Sequence, residues 1–326
     1  MLTVLVATRN GARTLPHVLE GYRRLRAAPG GWKLVIVDNA STDGTRDVVH
    51  RFTSSLPLTY CEEPRPGKNR ALLTGLREAE GDLLVFSDDD ATPDPAWLVS
   101  LRRAADERLD FDVFAGTIRP RWEVPPERWV LDDVDLAACY AITDSARMAG
   151  PIPPTLVPGA NMAVRSRVFE RGYRFDPEVG PSGGDYAMGS ETDLTVRLAE
   201  AGFKAWFCPE AVVEHFIRAH QIERKWILER AIRFGRGTYR RRLLRQVERP
   251  RLWFGVPRHL YRQIATRALR YSWAVVFRRR GSFRERWAIG RLVGCAIQAR
   301  RHYGNQTRAL PRQSLASHAS SDGGLE

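Results

Sequence analysis

The sequence predicts an α/β protein with a mostly parallel sheet, helices on both faces, and a basic helical C-terminal region. Three observations support this. Short apolar runs alternate with amphipathic stretches through the first hundred residues, an order typical of parallel sheets. Acidic residues follow two of these runs, at Asp38 and at Asp88–Asp90, where strand ends of such sheets bind ligands. The charge changes sign near residue 216.

The first four apolar runs are short and continuous, as expected for strands covered on both faces. They predict strands at Thr3–Ala7, Lys33–Val37, Leu58–Cys61 and Leu83–Ser87. The stretches between them predict helices at Thr14–Ala27, from Ser41 or Thr42 to Phe52, and at Asn69–Ala79. Pro16 in the first turn of one helix and a Ser or Thr cap on the next suit these starts.

The pattern becomes less regular after residue 110. We expect a strand at Asp112–Thr117, a mostly helical segment over Pro125–Met148, and an extended proline-rich approach to Gly159–Val164. A helix over Thr192–Ala201 stops at Gly202, and short strands follow at Lys204–Phe207 and Val212–Glu214.

Charge divides the chain into an acidic body and a basic arm. Residues 1–215 carry 25 Lys and Arg against 32 Asp and Glu, whereas residues 216–312 carry 26 against four. We therefore expect a domain over residues 1–220, a basic, aromatic helical arm over residues 221–304, and a disordered tail over residues 305–326.

The four cysteines are scattered without CxxC spacing, which argues against zinc ribbons and a disulfide framework. The first apolar run begins at Leu2, and we expect no signal peptide before it; no apolar stretch approaches the ~18 residues of a spanning helix. The expected location is cytoplasmic.

Asp88, Asp89 and Asp90 should repel one another at the end of a buried strand. A divalent cation with oxygen ligands would relieve that repulsion, and Mg²⁺ commonly uses one or two carboxylates together with substrate phosphates. The alternative is helix capping, because Asp94 and Pro95 follow and together start a helix well. The triplet alone leaves both interpretations open.

Six segments in this order resemble the inverting family 2 glycosyltransferases, which have the GT-A nucleotide-sugar-binding fold. They are Val4–Asn10, Val35–Thr45, Pro66–Ala71, Asp88–Asp90, Gly159–Met162, and Gly189–Leu194 with Arg197. The likeness covers roughly residues 2–220. Each segment is weak evidence alone, but together they predict a transferase that uses a nucleoside-diphosphate sugar.

The resemblance implies a nucleotide-sugar site. Asp38 matches the acid that binds the nucleotide base, usually uracil, although it could also cap the following turn. Thr8 and Arg9 match residues beside the base and ribose, and Lys68 lies in a loop near the nucleotide. Alternatively, Arg9 and Lys68 are ordinary surface residues without a role in binding the nucleotide.

The resemblance also implies a Mn²⁺ or Mg²⁺ site. Asp88 and Asp90 match the DxD pair, in which the first acid contacts ribose or metal and the second holds the cation on the diphosphate. His215 matches a late histidine that reaches the same metal or phosphates, although a histidine at a strand end is often structural.

Glu191 takes the position of the catalytic base. The family often shows Glu-Asp where this chain has Ser190 and Glu191, so Asp193 is a rival. Residues two apart on a helix point about 200° apart, so only one of the two should face the sugar. Glu191 is the preferred base.

The basic arm interleaves arginines with aromatic residues, as in Tyr271–Phe277 followed by Arg278–Arg280. This composition suits a helix on an anionic membrane surface. A soluble helical subdomain and nonspecific nucleic-acid affinity are the alternatives, and no specific nucleic acid is expected.

The expected activity is metal-dependent, inverting transfer of a hexose-type sugar, from a UDP-sugar in the preferred case, to a glycan or lipid-linked acceptor. The preferred setting is bacterial envelope polysaccharide or glycolipid synthesis on the cytoplasmic face of the membrane. The alternatives are a sugar nucleotidyltransferase and a noncatalytic membrane adaptor on a transferase fold.

Overall fold

The computed structural model describes residues 1–182, 186–244, 250–277 and 281–309 of the 326-residue chain. Its strands are β1 (Leu2–Thr8), β2 (Trp32–Asp38), β3 (Leu58–Glu62), β4 (Leu83–Asp88), β5 (Ala91–Pro93), β6 (Val113–Trp122), β7 (Gly150–Ile152), β8 (Asn161–Arg165), β9 (Ala205–Ile217), β10 (Leu252–Trp253) and β11 (Val256–Pro257). Its helices are α1 (Leu15–Arg23), α2 (Thr45–His50), α3 (Lys68–Gly75), α4 (Trp97–Glu107), α5 (Arg128–Asp133), α6 (Leu136–Tyr140), α7 (Ser166–Glu170), α8 (Ser190–Glu200), α9 (Arg224–Leu244), α10 (Arg258–Val276) and α11 (Ser282–Ala309).

The main sheet has the order β3-β2-β1-β4-β8-β6-β9-β5, with β7 also paired to β9. Strands β3, β2, β1 and β4 are parallel, as are β6 and β9. Strand β8 joins the two groups in antiparallel orientation to both. This confirms the predicted mostly parallel α/β sheet. One apolar cluster packs on each face of the sheet, which explains why the central strands are apolar throughout.

The body departs from the predicted elements in two places. The segment predicted as mostly helical over 125–148 contains only the short helices α5 and α6, and α6 ends where Ala141 takes a left-handed conformation, φ +59°. The two late strands are a single strand, β9. A bulge opposite Gly116 and Thr117 accommodates the intervening residues. A Cβ on Gly116 would lie 2.1 Å from the carbonyl oxygen of Ala211, so this close approach requires glycine.

The C-terminal helices pack on the body through a shared apolar cluster. Val130 and Tyr140 of the body and Ile227 and Trp287 of α9 and α11 are buried in it. Helix α9 also crosses α11 closely, and a Cβ on Gly294 would lie 2.0 Å from the carbonyl oxygen of Ile232. The region predicted as an arm is therefore built against the body over this interface.

Helix α11 extends to Ala309, five residues into the segment where the sequence predicted a tail. The rest of that predicted tail, residues 310–326, lies outside the described residues. No helix in the described ranges has the length and apolar character needed to cross a membrane.

Candidate active site

A cavity of about 720 Å³ opens at the carboxyl ends of β1 and β4. Residues far apart in sequence line it because parallel strands end at the same edge of the sheet. The predicted site residues that line it are Thr8, Arg9, Lys68, Asp88, Asp90, Glu191 and His215.

Lys68 connects the two halves of this site. It is the first residue of α3, and its Nζ lies 2.5 Å from Asp88 Oδ1 and 2.6 Å from Glu191 Oε1. Burial alone would raise the pKa of Glu191, but the Lys68 ammonium, a backbone hydrogen bond and the charge of Arg230 together lower it overall. The same ion pairs raise the pKa of Lys68 despite its burial. The arrangement holds Glu191 as a carboxylate, the form a general base needs.

Glu191 and Asp193 occupy different environments on α8. Glu191 projects into the cavity, where its side chain lies against Gly159. Asp193 is buried, and its Oδ2 accepts hydrogen bonds of 3.1 and 3.0 Å from Arg197, which also donates to the carbonyl of Arg174. Asp193 thus has a structural partner, whereas Glu191 faces the space a substrate would fill.

The middle acid of the triplet, Asp89, has an unusual environment. Its Oδ2 accepts a 2.6 Å hydrogen bond from Thr8 Oγ1. Burial, together with repulsion from Asp90 and Asp88, raises the pKa of Asp89 to about 7. Burial and the neighbouring carboxylates together therefore bring the ionisation of Asp89 close to neutral pH.

Asp90 faces the side chains of His215 and Arg218. His215 Nε2 lies 3.5 Å from its Oδ1, and Arg218 NH1 lies 3.5 Å from its Oδ2. Burial would raise the pKa of Asp90, but these neighbours lower it overall. His215 Nδ1 lies 2.7 Å from the carbonyl oxygen of Tyr140, so it carries a proton, and Nε2 faces Asp90. Sequence reasoning missed Arg218, because one arginine after a strand carries no pattern.

The side chains around Asp90 suit a hard divalent cation. Within the described ranges, no three His, Cys, Asp or Glu side chains are grouped closely enough to hold a metal as they stand. The chemistry nevertheless fits Mg²⁺ or Mn²⁺, which favour carboxylate oxygens, and neutral imidazole can add a nitrogen ligand. The hydrogen bond to Tyr140 would leave Nε2 of His215 available for this purpose.

Asp38 lies beside the cavity but not in its lining. At the end of β2 it pairs with Thr8 across the sheet. Its Oδ1 accepts from the backbone N–H of Ser41 at 2.9 Å, and its Oδ2 accepts from the Tyr60 hydroxyl at 3.0 Å. The turn-capping contact considered from the sequence is therefore present, and Asp38 has partners on both oxygens.

Helix α9 forms the opposite wall of the cavity through Trp226, Arg230, Phe234 and Arg241. The Trp226 ring stacks parallel to Tyr140 with centroids 5.9 Å apart, and the Arg230 guanidinium lies 5.6 Å from the Trp226 ring. Arg230 also donates to the Cys139 carbonyl, and its charge contributes to the lowered pKa of Glu191. Sequence reasoning assigned this helix to a separate arm and missed its part in the site.

The mostly parallel sheet, with acidic residues at the carboxyl ends of its strands, is the architecture expected of a GT-A fold. The sequence model described as "Glycosyl transferase family 2" matches residues 3–170, and the chain belongs to that family.

Several curated relatives align over much of the body. The probable glycosyltransferase YdaM of Bacillus subtilis is 22% identical over 65% of this chain and 49% of its own length. The pre-mycofactocin glycosyltransferase of Mycobacterium tuberculosis is 27% identical over 71% of this chain and 45% of its own. The chain thus spans about half the length of these relatives. The glycosyltransferase AglE of Haloferax volcanii is 21% identical, and 72% of each chain is covered.

Two solved structures share the fold. The mannosyltransferase PcManGT from Pyrobaculum calidifontis, in complex with GDP-Man and Mn²⁺, has a TM-score of 0.62 at 22% identity and covers 91% of this chain and 86% of its own. TarS 1-349 of S. aureus, in complex with UDP-GlcNAc, has a TM-score of 0.52 at 15% identity. The alignment covers 71% of this chain and 66% of the TarS chain.

Proposed function

We propose that this glycosyltransferase moves a hexose-type sugar from a nucleoside-diphosphate donor, preferably a UDP-sugar, with inversion at the anomeric carbon and with a divalent cation. The observation that supports this most is the placement of Glu191 as a carboxylate in the same cavity as Asp88 and Asp90, with Lys68 between them.

Inverting transfer needs one base on the face of the sugar opposite the departing diphosphate. Glu191 would accept the proton of the acceptor hydroxyl as its oxygen attacks the anomeric carbon and the bond to the diphosphate breaks. Asp88 would hold the ribose side of the donor. Lys68 contacts Asp88 and Arg218 contacts Asp90, so positive charge is present beside the acids proposed to hold the donor.

Asp88, Asp90 and His215 are the residues that would hold Mn²⁺ or Mg²⁺. When bound, such a cation stabilises the negative charge that develops on the leaving diphosphate. The Mn²⁺ in the PcManGT complex supports this proposal by fold analogy. The buried, mutually repelling carboxylates of this chain support it independently.

The choice of base can be tested with two substitutions on one helix. Glu191→Gln should abolish transfer while donor binding persists, because it removes the base and keeps the shape of the side chain. Asp193→Asn should reduce stability but leave measurable transfer, because Asp193 is bonded to Arg197. Initial rates and donor affinity are measured for both. Full activity of Glu191→Gln, or selective loss of chemistry in folded Asp193→Asn, would overturn the assignment.

Donor class and metal dependence can be tested without knowing the acceptor. A thermal-shift screen across nucleotide sugars with Mn²⁺ should show stabilisation by UDP-sugars. That stabilisation should be lost in Asp90→Ala. A preference for GDP-sugars would change the proposed nucleotide of the donor and leave the rest of the proposal intact. Equal stabilisation with and without metal would contradict the proposed metal dependence.

We further propose a glycan or lipid-linked acceptor and attachment to the cytoplasmic face of an anionic membrane, in bacterial envelope polysaccharide or glycolipid synthesis. Helix α10 supports the membrane proposal, because Leu269, Trp273, Val276 and Phe277 repeat at helical spacing and are exposed. Leu269 and Val276 have exposed fractions of 73% and 72%. Apolar side chains beside arginines are typical of helices that lie on anionic lipid.

Flotation with anionic liposomes can test this attachment in the whole chain. Leu269→Asp with Val276→Asp should abolish flotation. Leu109→Asp, at a body residue that is 71% exposed, should not. Undiminished flotation of the double variant would favour the soluble-subdomain alternative for this region. The family match favours sugar transfer over the nucleotidyltransferase and adaptor alternatives.

A further inference from the structure

A second cleft, of about 620 Å³, lies between α10 and α11, apart from the candidate active site. Four arginines and one histidine line it: Arg262, Arg267, Arg270, Arg291 and His259. His259, Arg262, Thr266 and Arg270 of α10 lie on one helical face because successive members are three or four residues apart, and Arg267 lies three residues before Arg270. The proposed function uses none of these side chains.

The positive charge in this cleft is largely uncompensated. Helix α10 contains no acidic residue over its length from Arg258 to Val276. Arg267 pairs with Glu285 of α11 at 3.1 Å, and Arg291 lies 5.3 Å from the Phe234 ring. Among the described residues, no Asp or Glu lines the cleft. Like charges that line one cleft repel one another, and an anion bound between them would relieve that repulsion.

His259, which lines the same cleft, has an unpaired polar atom, and this is a second, independent observation. His259 Nε2 is buried and has no hydrogen-bond partner among the described residues. Buried polar atoms nearly always have partners in folded proteins, so an unpaired one calls for an explanation. Burial, together with the charge of Arg242, lowers the pKa of His259, which favours its neutral ring. A neutral imidazole with a proton on Nε2 could donate to a ligand oxygen.

The size and chemistry of the cleft restrict the ligand. Its volume is in the range of small-molecule sites, roughly 300–1,000 Å³. Guanidinium groups bind phosphate oxygens through paired, charge-assisted hydrogen bonds, which a carboxylate also accepts but with fewer oxygens. Arg262 and Arg270 are exposed at the mouth, whereas Arg267 and Arg291 lie deeper. A ligand would therefore enter between Arg262 and Arg270 and then contact Arg267 and Arg291.

We infer that the cleft between α10 and α11 is a binding site for a phosphate group, separate from the donor site. The group can belong to a soluble phosphate compound or to a phospholipid headgroup, since both present the same oxygens. Its position beside the exposed apolar residues of α10 is compatible with either source.

Thermal melting with inorganic phosphate, against chloride at equal ionic strength, tests the site. We expect a saturable rise in the melting temperature of the full chain. Arg262→Gln with Arg270→Gln should weaken the apparent affinity at least tenfold. Arg24→Gln with Arg103→Gln removes the same charge from exposed positions on the body and should leave the response unchanged. An equal response in all three proteins, or no saturable response, would overturn the inference.

A direct readout needs no variant of the arginines. The ring ¹H–¹³C signal of His259, assigned by its loss in His259→Gln, should shift during the phosphate titration with the same midpoint as the melting curve. A His259 signal that does not move while other histidines shift would place phosphate elsewhere and refute the site.

The source of the phosphate is decided by a third arm. Phosphatidylcholine vesicles with and without phosphatidic acid are mixed with the wild type, the cleft variant and the body variant. Cosedimentation that depends on phosphatidic acid and is lost only in the cleft variant identifies a lipid headgroup as the ligand. Equal cosedimentation of cleft and body variants, with phosphate binding intact in the wild type, identifies a soluble phosphate compound.

Discussion

Lys68→Met is the most informative single substitution, because it removes a charge from between two carboxylates and keeps the length of the side chain. Lys68 Nζ lies 2.5 Å from Asp88 and 2.6 Å from Glu191. At an effective dielectric constant of about 20, a pair at 2.6 Å is worth about 6 kcal/mol before desolvation. Desolvation offsets much of this, and breaking a buried pair typically costs about 3–5 kcal/mol.

The same substitution should change the pH dependence of catalysis. Lys68 lowers the pKa of Glu191, so its loss should raise that pKa. A base with a higher pKa is protonated over more of the acidic range, so the acidic limb of kcat/KM should move to higher pH by the same amount. Lys68→Arg keeps the charge and should leave the limb near its wild-type position.

Two measurements check this prediction: denaturant unfolding at neutral and acidic pH, and kcat/KM against pH. The stability difference between Lys68→Met and the wild type should shrink in acid as the carboxylates are protonated. An acidic limb that does not move in a folded Lys68→Met protein would show that Glu191 is not the titrating base. A stability difference independent of pH would show that the ion pairs contribute little.

Three further substitutions test individual contacts. Gly159→Ala should lower kcat by about 100-fold with a smaller effect on donor affinity, because its Cβ would lie 2.2 Å from Glu191 Cδ and displace the carboxylate; unchanged kcat in steady-state assays would contradict this. Glu63→Gln should destabilise the fold by roughly 1–3 kcal/mol at pH 7. The hydrogen bond from Arg65 holds the pKa of Glu63 at about 2, below its usual 4.5. The stability difference between Glu63→Gln and the wild type should therefore disappear as pH falls from about 5 to about 2, as measured by urea unfolding. Asn161→Ala should cost about 2–5 kcal/mol in the same assay, because it leaves the indole N–H of Trp97 and two buried carbonyls without partners; a loss under 1 kcal/mol would refute the role.

The half of the sheet that forms the base of the cavity could be predicted because local signals specify it. Each of β1 to β4 is a short apolar run, and each is followed by a turn or helix start, so the order along the chain implies parallel pairing. Glu191 and the Asp88–Asp90 triplet were expected in one cavity on the strength of a motif order, and the structure places them there.

The features of the fold and the site that were not predicted depend on long-range packing, which leaves no local signal in the sequence. Strand β8 is inserted antiparallel between β4 and β6, although about 70 residues of sequence separate it from β4. The left-handed Ala141 that ends α6 carries no glycine or asparagine signal. Asn161 belongs to a segment that suggested the family, yet its contacts are with the fold, where it joins the β9 bulge to α4.

The wall supplied by α9 has a consequence for how such enzymes can be divided and recombined. Because Trp226 and Arg230 face Glu191 across the cavity, a fragment that stops before α9 would expose the reaction space to bulk water on one side. Exchanging C-terminal regions between homologues should therefore alter the cavity wall, and with it which acceptors are used. The C-terminal region thus contains both α9, which lines the cavity, and α10, whose exposed apolar residues support the proposed membrane attachment, so a change to this region can affect both.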